Sequence, residues 1–373
     1  MKRREFLKTT PCLALLNPAF LPELCSNLYA FDLPPNLSKV EARYYEKLPD
    51  KEIKCHLCPR ECHLGDKERG YCGVRENSNG TYYTLVYGKA CAVHVDPVEK
   101  KPFFHFYPRR QTLSLATAGC NVNCKFCQNW EISQVRPEQV QHFDFPPRMV
   151  VETAKKYNCP LIAYTYTEPV VFFEYMVDTA KLGRRTGLKS VVVTGGHINQ
   201  QPLKELIEVV DAIKVDLKAF TQSFYDKYVR GELQPVLEAI KLIAASPVWL
   251  EIVYLVIPTL NDSPEEIRQL SRWLKQEIGP DVPIHFSRFH PMYLLKNLPP
   301  TPIATLEQAR QIAREEGLHY VYIGNVPGHE GESTYCPNCG ELLIKRWGFD
   351  VLKISLRNGK CPRCQTPIPG VWG

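Results

Sequence analysis

The chain has 373 residues, 44% of them hydrophobic and 23% charged, with a formal net charge of +6. That length and composition suit one large globular domain with small appendages. Acidic and basic residues are mixed along the chain without a concentrated basic stripe, which argues against a dedicated nucleic-acid partner.

The N-terminus opens with Arg3-Arg4-Glu5-Phe6-Leu7-Lys8, similar to the twin-arginine export signal that carries folded, cofactor-loaded proteins outward. The stretch Thr9 to Leu24 is only moderately apolar, is broken by Pro11, Pro18 and Pro22 and lacks a clean A-x-A cleavage site. Residues 1–30 therefore read either as such a signal, leading to the periplasm, or as a disordered basic arm. No other stretch approaches the roughly 20 apolar residues of a transmembrane span.

Fifteen cysteines are many for this length. Eleven fall into short-spaced groups, while Cys12, Cys25, Cys91 and Cys159 stand alone. Such spacings fit metals better than a disulfide framework and favour a reducing compartment, the cytoplasm. The first group lies in residues 31–110, a Cys-rich module with its lead-in and aromatic-rich continuation. Cys55, Cys58, Cys62 and Cys72 form C-x2-C-x3-C-x9-C, matching a structural zinc site or a second iron–sulfur cluster. His56 or His63 could replace one thiolate.

From residue 111 to 330, short apolar runs alternate with helical patterns. Strands are predicted at Leu113–Ala118, Leu161–Thr165, Ser190–Thr194, Ala212–Leu217, Trp249–Ile257, Ile284–Phe289 and Tyr320–Gly324. The clearest helix begins at Asp262-Ser263-Pro264, with Ile267, Leu270, Leu274 and Ile278 on one face. Alternating strands and helices make an α/β fold with a parallel sheet. At about 30 residues per unit the segment yields six or seven units, short of eight. The expected architecture is an incomplete (β/α) TIM-type barrel, whose chemistry gathers at the C-terminal strand ends.

Just after the first strand, Cys120, Cys124 and Cys127 are spaced C-x3-C-x2-C. Three thiolates can hold three irons of a 4Fe–4S cube and leave the fourth open to a substrate or cofactor; the competing reading is a zinc site that borrows a distant fourth ligand. With Phe126 before the last cysteine, the spacing resembles the signature of radical S-adenosylmethionine (SAM) enzymes. Tyr166-Thr167-Glu168-Pro169 follows the second strand, where members commonly carry Gly-Gly-Glu-Pro. Both glycines are replaced here, but the resemblance implies that Glu168 receives the amino group of SAM; alone, it equally suits a helix cap. Thr194-Gly195-Gly196-His197 ends the third strand, and Gly195 and Gly196 would let backbone approach a ligand or simply form a turn. Asp216-Leu217-Lys218 ends the fourth and is similar to the Asp-x-Lys of glycyl-radical activating enzymes, which lies near cofactor and substrate. The bland alternative is a solvated ion pair.

Around the sixth strand, alternation sets His285 and Phe289 on one face and Phe286, Arg288 and His290 on the other. Arg288 or His290 could meet a carboxylate, and Asn325 is similarly placed after the last strand. The tail, residues 331–373, carries Cys336, Cys339, Cys361 and Cys364 as two C-x2-C pairs separated by 21 residues, the pattern of a zinc ribbon. A piece this small buries little core, so metal binding is expected to fold it.

Taken together, DPVEKKPFFHFYP (Asp96 to Pro108), CNVNCKFCQNWEIS (Cys120 to Ser133), YTEP and YVYIGNV resemble the radical SAM component of the AmmeMemoRadiSam system, related to pyruvate formate-lyase activating enzymes. The resemblance spans roughly residues 40 to 373. It implies a 4Fe–4S cluster that binds SAM at its open iron, a low-potential electron donor and reductive cleavage to a 5′-deoxyadenosyl radical. That radical would remove hydrogen from an unidentified small molecule or protein, a glycine of a partner protein if the activase likeness extends to the substrate.

Overall fold

The computed structural model describes residues 37–373. Cys12, Cys25 and the Arg3-Arg4 sequence lie outside the described residues. Every strand predicted from residue 111 onward forms, with ends displaced by at most two residues. The central sheet contains β1 (Ala92–Pro97), β2 (Gln111–Ala116), β3 (Leu161–Tyr164), β4 (Lys189–Thr194), β5 (Ala212–Asp216), β6 (Trp249–Val256), β7 (Ile284–Arg288) and β8 (Val321–Gly324). Strands β2 to β8 run parallel in chain order, and β1 adds an antiparallel edge to β2. The six crossovers carry α1 (Pro147–Lys156), α2 (Phe173–Arg185), α3 (Gln200–Val209), α4 (Leu233–Ala244), α5 (Pro264–Glu277) and α6 (Ile303–Glu315).

Helix α5 shows why the periodicity was readable. Ser263 Oγ accepts from the Glu266 amide at 3.2 Å, Pro264 occupies the first turn, and Ile267, Leu270 and Leu274 are buried against the sheet. Each feature satisfies a helix-start requirement or covers apolar sheet surface. No helix among the described residues is long and apolar enough to cross a membrane.

The sheet does not close, since β1 and β8 remain its edges. Strand alternation sends one set of side chains outward to the helices and the other into the barrel. Inside, Leu161, Ala163, Val191 and Ala212 pack on Val98, Phe103 and Phe106 from the β1–β2 connection. Beside them, Glu251 on β6 is fully buried and accepts from the backbone amides of Phe104 and His105, the Trp249 indole and His285 Nε2. Burial alone would raise the Glu251 carboxyl, yet His285 and the neighbouring donors hold it below the usual range. Burial pushes His285 down, so the pair is a carboxylate accepting from a neutral imidazole.

The C-terminal module adds an antiparallel sheet of β9 (Thr334–Tyr335), β10 (Leu342–Trp347) and β11 (Asp350–Ile354). Its core is shared with the barrel, for Phe104, Tyr320 and Tyr322 pack with Leu343, Ile344 and Ile368. Arg346 lies 4.1 Å over the Phe104 ring and donates to the Phe104 carbonyl at 2.7 Å. The barrel thus supplies an apolar floor for the tail in addition to the metal binding expected to fold it. Nearer the N-terminus, two small three-stranded sheets pack on the barrel core. Buried Arg75 anchors them, donating to both oxygens of Glu174 on α2 at 3.1 and 2.5 Å.

Alternation in β7 holds, but Arg288 donates to the Thr301 carbonyl at 2.8 Å and His290 is exposed. Among the described residues, neither pairs with a protein carboxylate. Likewise His56 pairs with Glu46 at 3.4 Å and His63 with Glu52 at 2.6 Å, outside the lining of the Cys55/Cys58/Cys62/Cys72 cavity. Glutamates within reach claim both rings.

His105 joins barrel to tail. Its Nδ1 lies 2.6 Å from the Pro369 carbonyl and its Nε2 2.6 Å from the Tyr322 hydroxyl. A carbonyl only accepts, so Nδ1 carries the proton and Tyr322 donates to Nε2. Burial lowers the imidazole to about 4, against partial compensation from Glu251 and Pro369. Between pH 6.5 and 4 the unfolded chain therefore binds the extra proton, so stability falls as pH falls through that window. The loss should reach about 3 kcal/mol. Thermal unfolding of wild type and His105→Gln measures it: the wild-type melting temperature should fall more steeply from pH 6.5 to 4, and parallel profiles would remove His105 from the account.

Candidate active site

Between β2 and the first crossover helix the chain makes a cysteine loop at the C-terminal ends of the strands. Gly119 turns into it with φ of +93°, where a β-carbon would lie 2.5 Å from Val74 and 2.7 Å from the Cys72 carbonyl. The amides of Asn123 and Lys125 donate to the Val229 and Tyr228 carbonyls, both at 2.9 Å. Phe126 packs on Phe224, and Trp130 stacks on Tyr293. The loop is thereby held by backbone and apolar contacts that leave its thiols free.

Cys120, Cys124 and Cys127 line a cavity of about 410 Å³ at the barrel mouth. That volume lies in the range of sites that hold a small organic ligand. Burial raises the Cys124 thiol to about 12, while Lys218 nearby favours its thiolate. Cys127 Sγ is 3.2 Å from Ser133 Oγ. Among the described residues, the three thiols do not all lie within 4.8 Å of one another, whereas sulfurs on one zinc stand about 3.8 Å apart. A cluster, in which each thiolate takes its own iron, fits that spread better than zinc does.

Glu168 is buried on the same cavity. Its Oε1 accepts from Thr194 Oγ1 at 2.6 Å and the Val170 amide at 3.2 Å, and its Oε2 accepts from the Gly195 amide at 2.8 Å. Burial raises its pKa against those hydrogen bonds. Glu168 therefore caps the turn Pro169–Phe172 and faces the cavity at once. A carboxylate has about four lone-pair sites, and three accepted bonds leave one for a ligand ammonium. Gly195 lines the cavity but spends its amide on Glu168. Gly196 turns away: at φ of +72° its β-carbon would sit 3.1 Å from Val215 and 3.2 Å from Val236.

Lys214 on β5 and Lys218 just beyond its end both donate to Asp216, Lys218 at 3.0 Å. Burial would raise the Asp216 carboxyl, but the two cations outweigh it and hold it at about 2. All three line the cavity and carry a net positive charge beside the thiols. Lys214 was missed in the sequence; its signal is a lysine two residues before Asp216 in an otherwise apolar strand. Tyr166 was missed as well. At φ of +65° it donates to Asp96, which also accepts from Lys100 and Lys101 at 2.7 Å. Burial lowers Lys101 to about 8 although Asp96 opposes the shift. Tyr166, Lys100, Lys101, Asn325 and Phe349 also line the cavity.

The C-terminal cysteines differ in spacing. Cys336, Cys339, Cys361 and Cys364 present sulfurs that all lie within 4.8 Å, with Cys336–Cys364 at 3.5 Å and Cys339–Cys361 at 3.6 Å. Four sulfurs around one zinc at about 2.3 Å stand about 3.8 Å apart, so this group fits a single ion.

A three-cysteine loop at the C-terminal mouth of a partial (β/α) barrel is placed to hold an iron–sulfur cofactor where such folds gather their chemistry. The Radical SAM superfamily matches residues 114–273, and the chain belongs to it. The protein MJ0808 of Methanocaldococcus jannaschii is 49% identical over 330 residues, 88% of this chain and 98% of that protein. Pyruvate formate-lyase 1-activating enzyme of Escherichia coli K12 is 22% identical over 217 residues, 53% of this chain and 87% of that enzyme. A radical SAM methyltransferase from Sphaerobacter thermophilus superposes with a TM-score of 0.47 at 17% identity, covering 61% of this chain and 71% of that one.

Proposed function

We propose that Cys120, Cys124 and Cys127 hold a 4Fe–4S cluster, and that Glu168 binds the amino group of SAM beside it. Together these groups supply one-electron reductive cleavage of SAM to methionine and a 5′-deoxyadenosyl radical, which takes a hydrogen atom from substrate. The observation that carries the reading is the single cavity shared by three spread thiols, a buried carboxylate with one acceptor site left and a net-positive Lys214–Asp216–Lys218 group. Lys218 favours the thiolate form of Cys124 and offers a cation to a carboxylate. Tyr166, fixed by Asp96, lines the same cavity. The electron comes from a low-potential carrier, which places the chemistry in the cytoplasm, and zinc occupies the C-terminal cysteines.

The substrate we favour is a protein segment with a glycine at its reacting position. The hairpin β10–β11 exposes Trp347, Phe349, Leu352 and Ile354, and Phe349 reaches the cavity. Exposed aromatics next to an active site suit a protein partner better than a small metabolite. Anaerobically reconstituted protein should convert SAM to 5′-deoxyadenosine under a strong reductant. With a glycine-deuterated partner, deuterium should appear in that product. A fully loaded protein that cleaves no SAM overturns the reading; cleavage without transfer from any glycine-labelled protein removes the substrate assignment.

A further inference from the structure

We propose that Cys55, Cys58, Cys62 and Cys72 hold a second 4Fe–4S cluster, one that is fully ligated by the chain. All four are free thiols and line one small cavity with Arg60, Tyr71 and Tyr82. The two candidate groups, one zinc ion or one cube, differ in how far apart they set their sulfurs. A single zinc sets them about 3.8 Å apart. A cube sets them wider, because each thiolate binds a different iron. Among the described residues, the C-terminal cysteines form a group whose ligand atoms all lie within 4.8 Å of one another, whereas no three of Cys55, Cys58, Cys62 and Cys72 do. The same chain thus contains a single-ion spacing at one end and a wider four-thiol spacing at the other.

The enclosed space points the same way. On the scale that gives the barrel cavity about 410 Å³, this one measures about 20 Å³. One water needs about 10–15 Å³ on such a scale. Sulfurs drawn to about 2.3 Å from a central zinc leave no such room. The gap is also far too small for an organic cofactor, so a compact inorganic group is the occupant that fits. The cavity is kept open by Gly70, whose β-carbon would lie 2.7 Å from the Tyr82 hydroxyl and within 3.8 Å of the Cys72 and Cys62 sulfurs.

Donors suited to an anionic cluster surround it. The Tyr71 amide donates to Cys62 Sγ at 3.4 Å. Arg60 stacks at 3.9 Å on Tyr71 and donates from Nε to the Asn121 carbonyl, while its Nη2 is buried without a partner. A buried cationic N–H with nothing to donate to is costly, and a sulfide or thiolate of a cluster would satisfy it. Asn121 walls this cavity and directly follows Cys120, so the two cysteine cradles are neighbours.

The test uses the full chain with Cys120, Cys124 and Cys127 all changed to alanine, reconstituted anaerobically with iron, sulfide and zinc. It should keep about four irons per chain and show the paramagnetic resonance of a reduced 4Fe–4S cluster. Adding Cys58→Ala and Cys72→Ala should remove both. A folded triple variant that holds no iron, or takes a second zinc instead, overturns the proposal. Should the triple variant fail to fold, the wild type decides: about eight irons support two clusters and about four overturn the second. No SAM enters this assay, so its result stands apart from the test of SAM cleavage.

Discussion

Replacing Cys124 with alanine should reduce 5′-deoxyadenosine formation to the level of the protein-free reaction. Its thiol is buried on the barrel cavity beside Lys218. Among the described residues, no fourth thiol lines that cavity to take its place. On the proposed ligation, removing one of three cluster ligands would leave an iron without protein support. Melting temperature should change little by comparison, because alanine keeps the loop backbone that Val229 and Tyr228 pin. Cys91→Ala is the matched control. That cysteine is solitary, its Sγ lies 3.6 Å from the Ala116 carbonyl, and it lines none of the cavity; its variant should cleave SAM as the wild type does. Equal activity in both variants would take Cys124 out of the cofactor site.

The parallel strands were readable because each is a short, nearly continuous apolar run bounded by turns, and α5 because its cap and stripe agree. β1 was not. Its residues are mixed in exposure, with His94 and Val95 exposed between half-buried Val93 and buried Asp96, so it lacks both an apolar run and clean alternation. The cysteine trio was legible from spacing alone, while Tyr166 and Lys214 were not. Tyr166 meets Asp96 across 70 residues, and Lys214 reads as a misfit in an apolar strand until the barrel turns it inward. Spacing likewise located the N-terminal thiols but said nothing of their separation, which is the property that distinguishes zinc from a cluster. Gly195 and Gly196 illustrate the limit most sharply. Adjacent in sequence, one meets the cavity and the other packs against Val215 and Val236.

Glu251→Ala should be the most destabilising single change in the barrel interior. The side chain satisfies two backbone amides, an indole and an imidazole, all inside the fold. Deletion leaves those donors unpaired together with a cavity. Each of the four orphaned buried donors costs about 1–3 kcal/mol. A total of at least about 4 kcal/mol follows, a fall in melting temperature of about 5 °C for a chain of this length. Glu251→Gln should lose less, since one oxygen remains to accept from the Phe104 and His105 amides. The damage should also be directional. Phe104 and His105 carry the contacts to Arg346 and Pro369, so hydrogen exchange in β10 and β11 should accelerate more than in β3 and β4. A melting temperature within about 2 °C of wild type, or a uniform rise in exchange, would show that the tail is held by its apolar floor without help from Glu251.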